Sequence, residues 1–357
     1  MYNELANESN HSCRKSMNPY IYPITLFLFC FLVDKLFYFS FVRDYFVLWN
    51  RFESVAYETR ENLFEIYENE NSSKQRVVLI GSSRMASFQR SEFETRNNIS
   101  FYNFCVPFPS VAYQLYILER LLSSSKKPSL ILWELDLSLF SEESHNYPFR
   151  YSLNYSFFWK YRNFWTKKNW IDFFSKKFFF VKKYPLSFKA LIENFQFFSY
   201  FRDGQLIKVQ KRKVISKMKE IFLELNEFNH GGIQVPVSSE KKPLEQEAKR
   251  VWIELFQKDK FPTEQLLFLQ EMKKKLEQEN IVFFVIIPPH SIEYRNILKT
   301  NLQEEFFQTI LLKNFSSHQI LNFSNFDFCS EFEDPFHLSG TCIRQFSYAV
   351  KKEIFRK

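Results

Sequence analysis

Short, wholly apolar runs separated by stretches of helical period set the rhythm of this chain. Val77–Ile80 stops at Gly81 and reads as a first buried strand. Ser100–Val106 alternates like a second strand, and Leu130–Asp136 follows the Lys126-Lys127-Pro128 loop as a third. Between them Ser110 is placed as the N-cap of a helix whose Val111, Leu115, Leu118 and Leu122 share one face. A helix from Thr263 to Glu279 buries Leu266, Leu269, Met272 and Leu276, and Asn280 can end it. Ile281–Ile287 is then a strand stopped by Pro288 and Pro289, Gln319–Phe323 a further short strand, and Ser339–Phe355 a closing helix. Strands that are apolar throughout and alternate with helices predict a parallel sheet buried on both faces. Ligands of such sheets sit beyond the carboxyl ends of the strands, which is where Ser83 falls.

Two stretches break this rhythm. Ile21–Val42 is apolar and aromatic apart from the pair Asp34-Lys35 and a few hydroxyl residues. Crossing a bilayer takes about 20 such residues. Ile21–Val33 alone resembles a signal-peptide core, but no small-residue cleavage site follows, and Leu36–Val42 extends it to spanning length. The segment therefore reads as an uncleaved signal anchor, in preference to an amphipathic helix on the domain's own surface. The Asp34-Lys35 pair would lie in mid-span, costly there but able to neutralise itself. Arg14 and Lys15 put residues 1–20 in the cytoplasm as a tail and the body outside it, on the periplasmic side. Residues 43–75 read as a stalk, and residues 76–357 as one domain.

The second break is an insertion at about 140–260. Lys160 to Lys189 interleaves lysines and arginine with Trp165, Trp170, Phe173, Phe174 and Phe178–Phe180. Basic and aromatic residues in alternation suit a membrane interface and also single-stranded nucleic acid. With an anchor upstream, the interface is the better reading, and a nucleic-acid partner is not expected. The plain alternative is a helical insertion whose aromatics are packed and whose lysines are solvated.

Composition sharpens this picture at three points. With 45% hydrophobic and 20% aromatic residues the body is not disordered. With only 5 glycines in 357 residues, Gly81 is expected where the backbone demands it. A net charge of +8 favours an anionic partner. The five cysteines show no zinc spacing, so neither a metal nor an organic cofactor is expected. Cys329 and Cys342 flank one motif and could pair if exported; two unrelated thiols is the preferred reading.

The candidate chemistry lies at the two ends of the domain. Ser83 follows the first strand in Gly81-Ser82-Ser83-Arg84, and Asp334-Pro335-Phe336-His337 precedes the last helix. A serine needs a base to become a nucleophile, and an imidazole needs an acid to hold its useful tautomer. His290, beyond a strand's carboxyl end, could face the same rim; a solvated loop histidine is the alternative. Arg84 could bind an anionic group or pair with an acid. Glu134 and Asp136 could orient a site group or cap a loop.

Serine after the first strand and Asp-x-x-His before the final helix together resemble the SGNH-hydrolase superfamily. The membrane-attached branch with the D-alanyl-lipoteichoic acid transfer protein and the alginate O-acetylation proteins is the nearest in pattern, because its first block can read Gly-Ser-Ser. That resemblance implies a flavodoxin-like three-layer α/β/α domain with Ser83 as nucleophile, His337 as base and Asp334 as its orienting acid. It implies an esterase or O-acyltransferase acting on an acylated envelope glycan or glycolipid, with a membrane-bound acyltransferase as partner. Two family blocks are not matched. Around Asn103–Pro107 the expected glycine is not evident, and around Trp133–Asp136 there is no Gly-x-Asn-Asp. The oxyanion hole is therefore expected from the Ser83 N–H and an N–H near Cys105, with Asn103 supporting that loop or donating itself. A non-catalytic envelope assembly protein with a degenerate oxyanion hole is the rival expectation.

Overall fold

The computed structural model describes residues 21–37, 39, 62–70, 73–88, 90–94, 98–106, 109–140, 153–179, 197–202, 205–210, 245–246, 248–249, 263–298, 306–325 and 331–355. The tail at 1–20, the end of the expected anchor beyond Phe39, the Gly231-Gly232 pair and Cys329 lie outside them.

Five parallel strands form the sheet: β1 (Gln75–Ile80), β2 (Ile99–Asn103), β3 (Leu130–Glu134), β6 (Val282–Ile287) and β7 (Ile320–Asn322), in the order β2-β1-β3-β6-β7. The strands thus run outward in both directions from a reversal between β1 and β3. In folds with such a reversal the chain leaves the two strands towards opposite sides, and ligands bind outside their carboxyl ends. The α/β class with a parallel sheet is as the apolar runs predict.

Alternate strand residues feed two cores, one on each face. Val78, Ile80, Tyr102, Ile131, Trp133 and Val285 pack with α3 (Val111–Ser123) and α6 (Thr263–Gln278) on one side. Val77, Leu79, Phe101, Leu132 and Ile286 pack with α2 (Arg90–Glu94) and α8 (Gly340–Phe355) on the other. With helices on both faces the strand interiors are buried, apart from the half-buried Phe284, which is why the runs are apolar rather than alternating. Ser110 caps α3 as expected, its side chain accepting from the Tyr113 N–H. Asn280 ends α6 in the left-handed region, with φ 54°.

Several expectations need correcting. The stretch read as a stalk contains, over residues 62–69, a helix whose Leu63, Phe64 and Tyr67 belong to the core. β2 ends at Asn103 rather than Val106, although the Phe104 and Val106 N–H groups still bond to the Leu79 and Gly81 carbonyls. The insertion is not purely helical. It holds α4 (Tyr155–Lys160) and α5 (Lys167–Phe178), and then an antiparallel hairpin of β4 (Phe197–Arg202) and β5 (Gln205–Gln210). Tyr161, Phe164 and Trp165 pack on Phe268 of α6, joining the start of the insertion to the core.

At the N-terminus α1 spans Ile21–Leu36. Its length of about 24 Å at 1.5 Å per residue is short of the roughly 30 Å hydrocarbon core. Among the described residues no helix is long and apolar enough to cross a membrane. Asp34 and Lys35 are not in mid-span here: they occupy the last turn of α1, where Lys35 donates to the Phe178 carbonyl. Cys342, on α8, is disulfide-bonded, so the reading of it as an isolated thiol is replaced. Cys30 and Cys105 carry free thiols.

Candidate functional site

Ser83 sits in the turn that follows β1, and the loop carrying Asp334 and His337 brings the far end of the chain to it. That loop is closed by a bridge between Phe332 and Leu338 and by bonds from the Glu333 and Ser339 N–H groups to the His337 and Glu331 carbonyls. Asp334 shapes it from inside, because its Oδ1 accepts the Phe336 and His337 N–H groups at 2.8 and 2.9 Å. Its other oxygen, Oδ2, lies 2.7 Å from His337 Nδ1, and His337 Nε2 lies 2.8 Å from Ser83 Oγ. A carboxylate at Nδ1 places the ring proton there and leaves Nε2 to accept from the serine hydroxyl. Burial opposes ionisation of Asp334, but the His337 hydrogen bond and charge and the two backbone N–H groups outweigh it, so its carboxyl titrates below the usual range. Three residues brought together from sequence positions 83, 334 and 337 thus have the order nucleophile, base and orienting acid.

What holds the nucleophile is less visible in the sequence. A Cβ on Gly81 would stand 2.3 Å from Glu134 Oε2 and 2.7 Å from Glu134 Cβ, so only glycine lets this side chain cross the end of β1. From there Glu134 Oε2 accepts the Ser82 N–H at 2.5 Å and Oε1 accepts the Ser82 hydroxyl at 2.6 Å. Burial pushes the Glu134 carboxyl up, partly offset by the Arg84 charge and the Ser82 bonds. The other side of the turn is held by Asn103. Its amide donates to the Met85, Ala86 and Phe88 carbonyls at 2.9–3.1 Å, and its Oδ1 accepts the Cys105 N–H at 3.0 Å.

This arrangement corrects the expected oxyanion hole. The Cys105 N–H is bound to Asn103, and its neighbours Phe104 and Val106 donate to the carbonyls of Leu79 in β1 and of Gly81 just after it, so the N–H groups of residues 104–106 are engaged away from the serine. Asn103 supports the loop and has no donor left over. The Ser83 N–H donates to no group among the described residues.

Arg84, Asp136 and His290 are brought together, but with one another rather than around Ser83 Oγ. Asp136 Oδ1 lies 2.7 Å from both Arg84 Nη1 and His290 Nε2, all three side chains being buried. Burial disfavours the Asp136 charge, yet Arg84 and His290 hold its carboxyl well below the usual range. Burial pushes the His290 ring towards its neutral form, so it donates Nε2–H to Asp136. Tyr294 and Phe336, which the sequence did not single out, complete the cluster. Tyr294 packs edge-on to both His290 and Phe336, and Arg84 lies over the Phe336 ring. The ion pair next to the nucleophile is thus tied to the ring next to the base. Among the described residues no group of His, Cys, Asp and Glu is arranged to hold a metal ion.

Fold and site define an α/β protein with a Ser–His–Asp constellation at the carboxyl edge of a parallel sheet. Within that class, the chain belongs to the family described as protein of unknown function (DUF1574), the match covering residues 16–352. No curated protein matches it.

Proposed function

We propose that the protein is a membrane-attached serine esterase or O-acyltransferase of the SGNH-hydrolase type, acting on an acylated envelope glycan or glycolipid. The observation that carries this reading is the 2.8 Å contact of Ser83 Oγ with His337 Nε2, with Asp334 on the other ring nitrogen. In the reaction His337 Nε2 takes the hydroxyl proton as Ser83 Oγ attacks the ester carbon. The alcohol leaves with that proton, and water or a sugar hydroxyl then takes the acyl group from the serine. The strand order, 2-1-3-4-5 when counted within the sheet, is that of flavodoxin-like folds and supports the finer assignment. The disulfide at Cys342 fits an oxidising compartment outside the cytoplasm.

The Ser83 N–H is one donor for the developing oxyanion. Among residues 104–106 none offers a second N–H, and losing one such donor typically costs about 10²–10³ in rate. A slow hydrolase, or a transferase completed by a membrane-bound acyltransferase, follows from that deficit. A second reading has its own support: with the N–H groups of residues 104–106 turned away, the fold could serve as a scaffold for envelope assembly without turnover. A fluorophosphonate probe separates the two. The esterase reading requires labelling of the wild-type protein at Ser83 and its loss in Ser83→Ala and His337→Ala. A folded wild-type protein that stays unlabelled leaves the scaffold.

A further inference from the structure

The basic, aromatic part of the insertion is joined to α1 by a continuous run of rings. On α4 and α5, Trp159 meets Trp170 at 5.9 Å between centroids, Trp170 meets Phe174 at 5.8 Å, and Phe174 meets Phe178 at 6.2 Å. The run passes to α1 where Phe179 stands edge-on to Phe31 and Lys35 donates to the Phe178 carbonyl. Its inner side is packed, through Phe158 and Phe173, into the core. Its outer side is not: Trp159, Ile171 and Phe178 are 50%, 64% and 57% exposed.

We propose that α4, α5 and α1 together form a seat for an anionic lipid surface, which lays the domain on the membrane. This extends the membrane attachment of the function above and is independent of the ester chemistry. Two observations select lipid as the occupant. First, residues 22–30 of α1 are exposed all round the helix, and apolar side chains such as Leu26, Phe27, Leu28 and Phe29 point in every direction. The flat face of a second copy covers one side of a helix, whereas a lipid phase covers all sides. Second, from Tyr155 to Phe179 the sequence has six basic residues (Lys160, Arg162, Lys167, Lys168, Lys176, Lys177) against one acid, Asp172. Lys160 pairs with Glu119 of α3, and Arg162, Lys167 and Lys168 lie at the surface of the same stretch. Aromatic rings at the headgroup level with cations around them match an anionic interface.

The test uses the full chain with Cys13→Ser, reconstituted into vesicles of phosphatidylcholine with phosphatidylglycerol and carrying an environment-sensitive dye on single accessible cysteines. The exposed thiol Cys30 reports on α1. Trp159→Cys and Phe178→Cys, each with Cys30→Ser, report on the ridge. Tyr348→Cys with Cys30→Ser, 67% exposed on α8 across the sheet, is the reference. The expected result is a blue shift and quenching by nitroxide-labelled lipid at 159 and 178, and neither at 348. Lys167→Glu with Lys168→Glu should reduce quenching at 159 and leave that at Cys30. Quenching at Cys30 without quenching at 159 and 178 overturns the seat while leaving α1 in lipid. A concentration-dependent blue shift at 159 without lipid overturns it in favour of a second copy. Fluorophosphonate labelling of the same samples reports on Ser83 separately, so failure of the chemistry and failure of the seat are told apart.

Discussion

Replacing Asn103 by alanine would strip one amide from three carbonyls, those of Met85, Ala86 and Phe88, and one acceptor from the Cys105 N–H. Each buried group left unsatisfied costs roughly 1–3 kcal/mol. Asn103→Ala is therefore expected to lower the denaturation midpoint clearly and to slow Ser83 labelling through the displaced turn. A variant with unchanged stability and slowed labelling would instead make Asn103 an oxyanion donor. Asp334 gives a prediction in pH. Its folded-state carboxyl titrates below its unfolded value of about 3.9. Its stabilising contribution is thus full above that value and lost as pH falls through the lower folded-state value. The difference in melting temperature between wild type and Asp334→Asn should be present at neutral pH and vanish in strong acid. Asp334→Asn should also cut labelling of Ser83 by orders of magnitude, because the amide no longer fixes the ring tautomer. Retained labelling would remove Asp334 from the triad.

At the scale of elements, the end of β1 depends on how closely β3 approaches it. Glu134 lies so near Gly81 that Gly81→Ala must move either the carboxylate or the strand. Overpacking of this kind costs about 1–3 kcal/mol. Here it also breaks both Ser82 bonds and shifts the residue before the nucleophile. Gly81→Ala is expected to fold less stably and to lose labelling. Full labelling with wild-type stability would show that Glu134 can swing aside at no cost. The sequence made Gly81 suspect because glycines are scarce, but it left Glu134 undecided between a cap and a site role. Nothing along β3 marks one of its residues as the side chain that crosses to the neighbouring strand. That depends on the register pairing Ile80 with Trp133, which places the end of β3 beside Gly81.

For the molecule as a whole, location and covalent state are the testable points. A reporter fused after residue 60 should be active only outside the cytoplasm; activity of a cytoplasmic reporter there would sink the orientation and with it the envelope substrate. Losing the disulfide at Cys342 by Cys342→Ser should cost roughly 2–5 kcal/mol, read as a lower melting temperature that reductant reproduces in the wild type. A wild type insensitive to reductant would argue against a structural bridge.

The sequence by itself determined the parallel α/β class and the principal strands, since a strand enclosed on both faces must be apolar throughout. It also placed Ser83 at a strand's carboxyl end, and Asp334 three residues before His337 on one loop. It could not decide which N–H groups remain open. Asn103 reads as a possible donor from its place at the end of β2, yet three carbonyls of the nucleophile turn lie within its reach and consume it. For Arg84 the sequence left an anion or a neighbouring acid as partner, and for Asp136 a site group or a loop cap; the register of β1, β3 and β6 decided for an Arg84–Asp136 pair, with His290 turned to the same carboxylate and Asp136 also accepting the Ser138 N–H. Hydrogen-bond partners of this kind are tertiary because a single-residue change of register reverses the direction of every side chain. Local sequence carries the period of an element, and only the assembled sheet decides which polar groups meet.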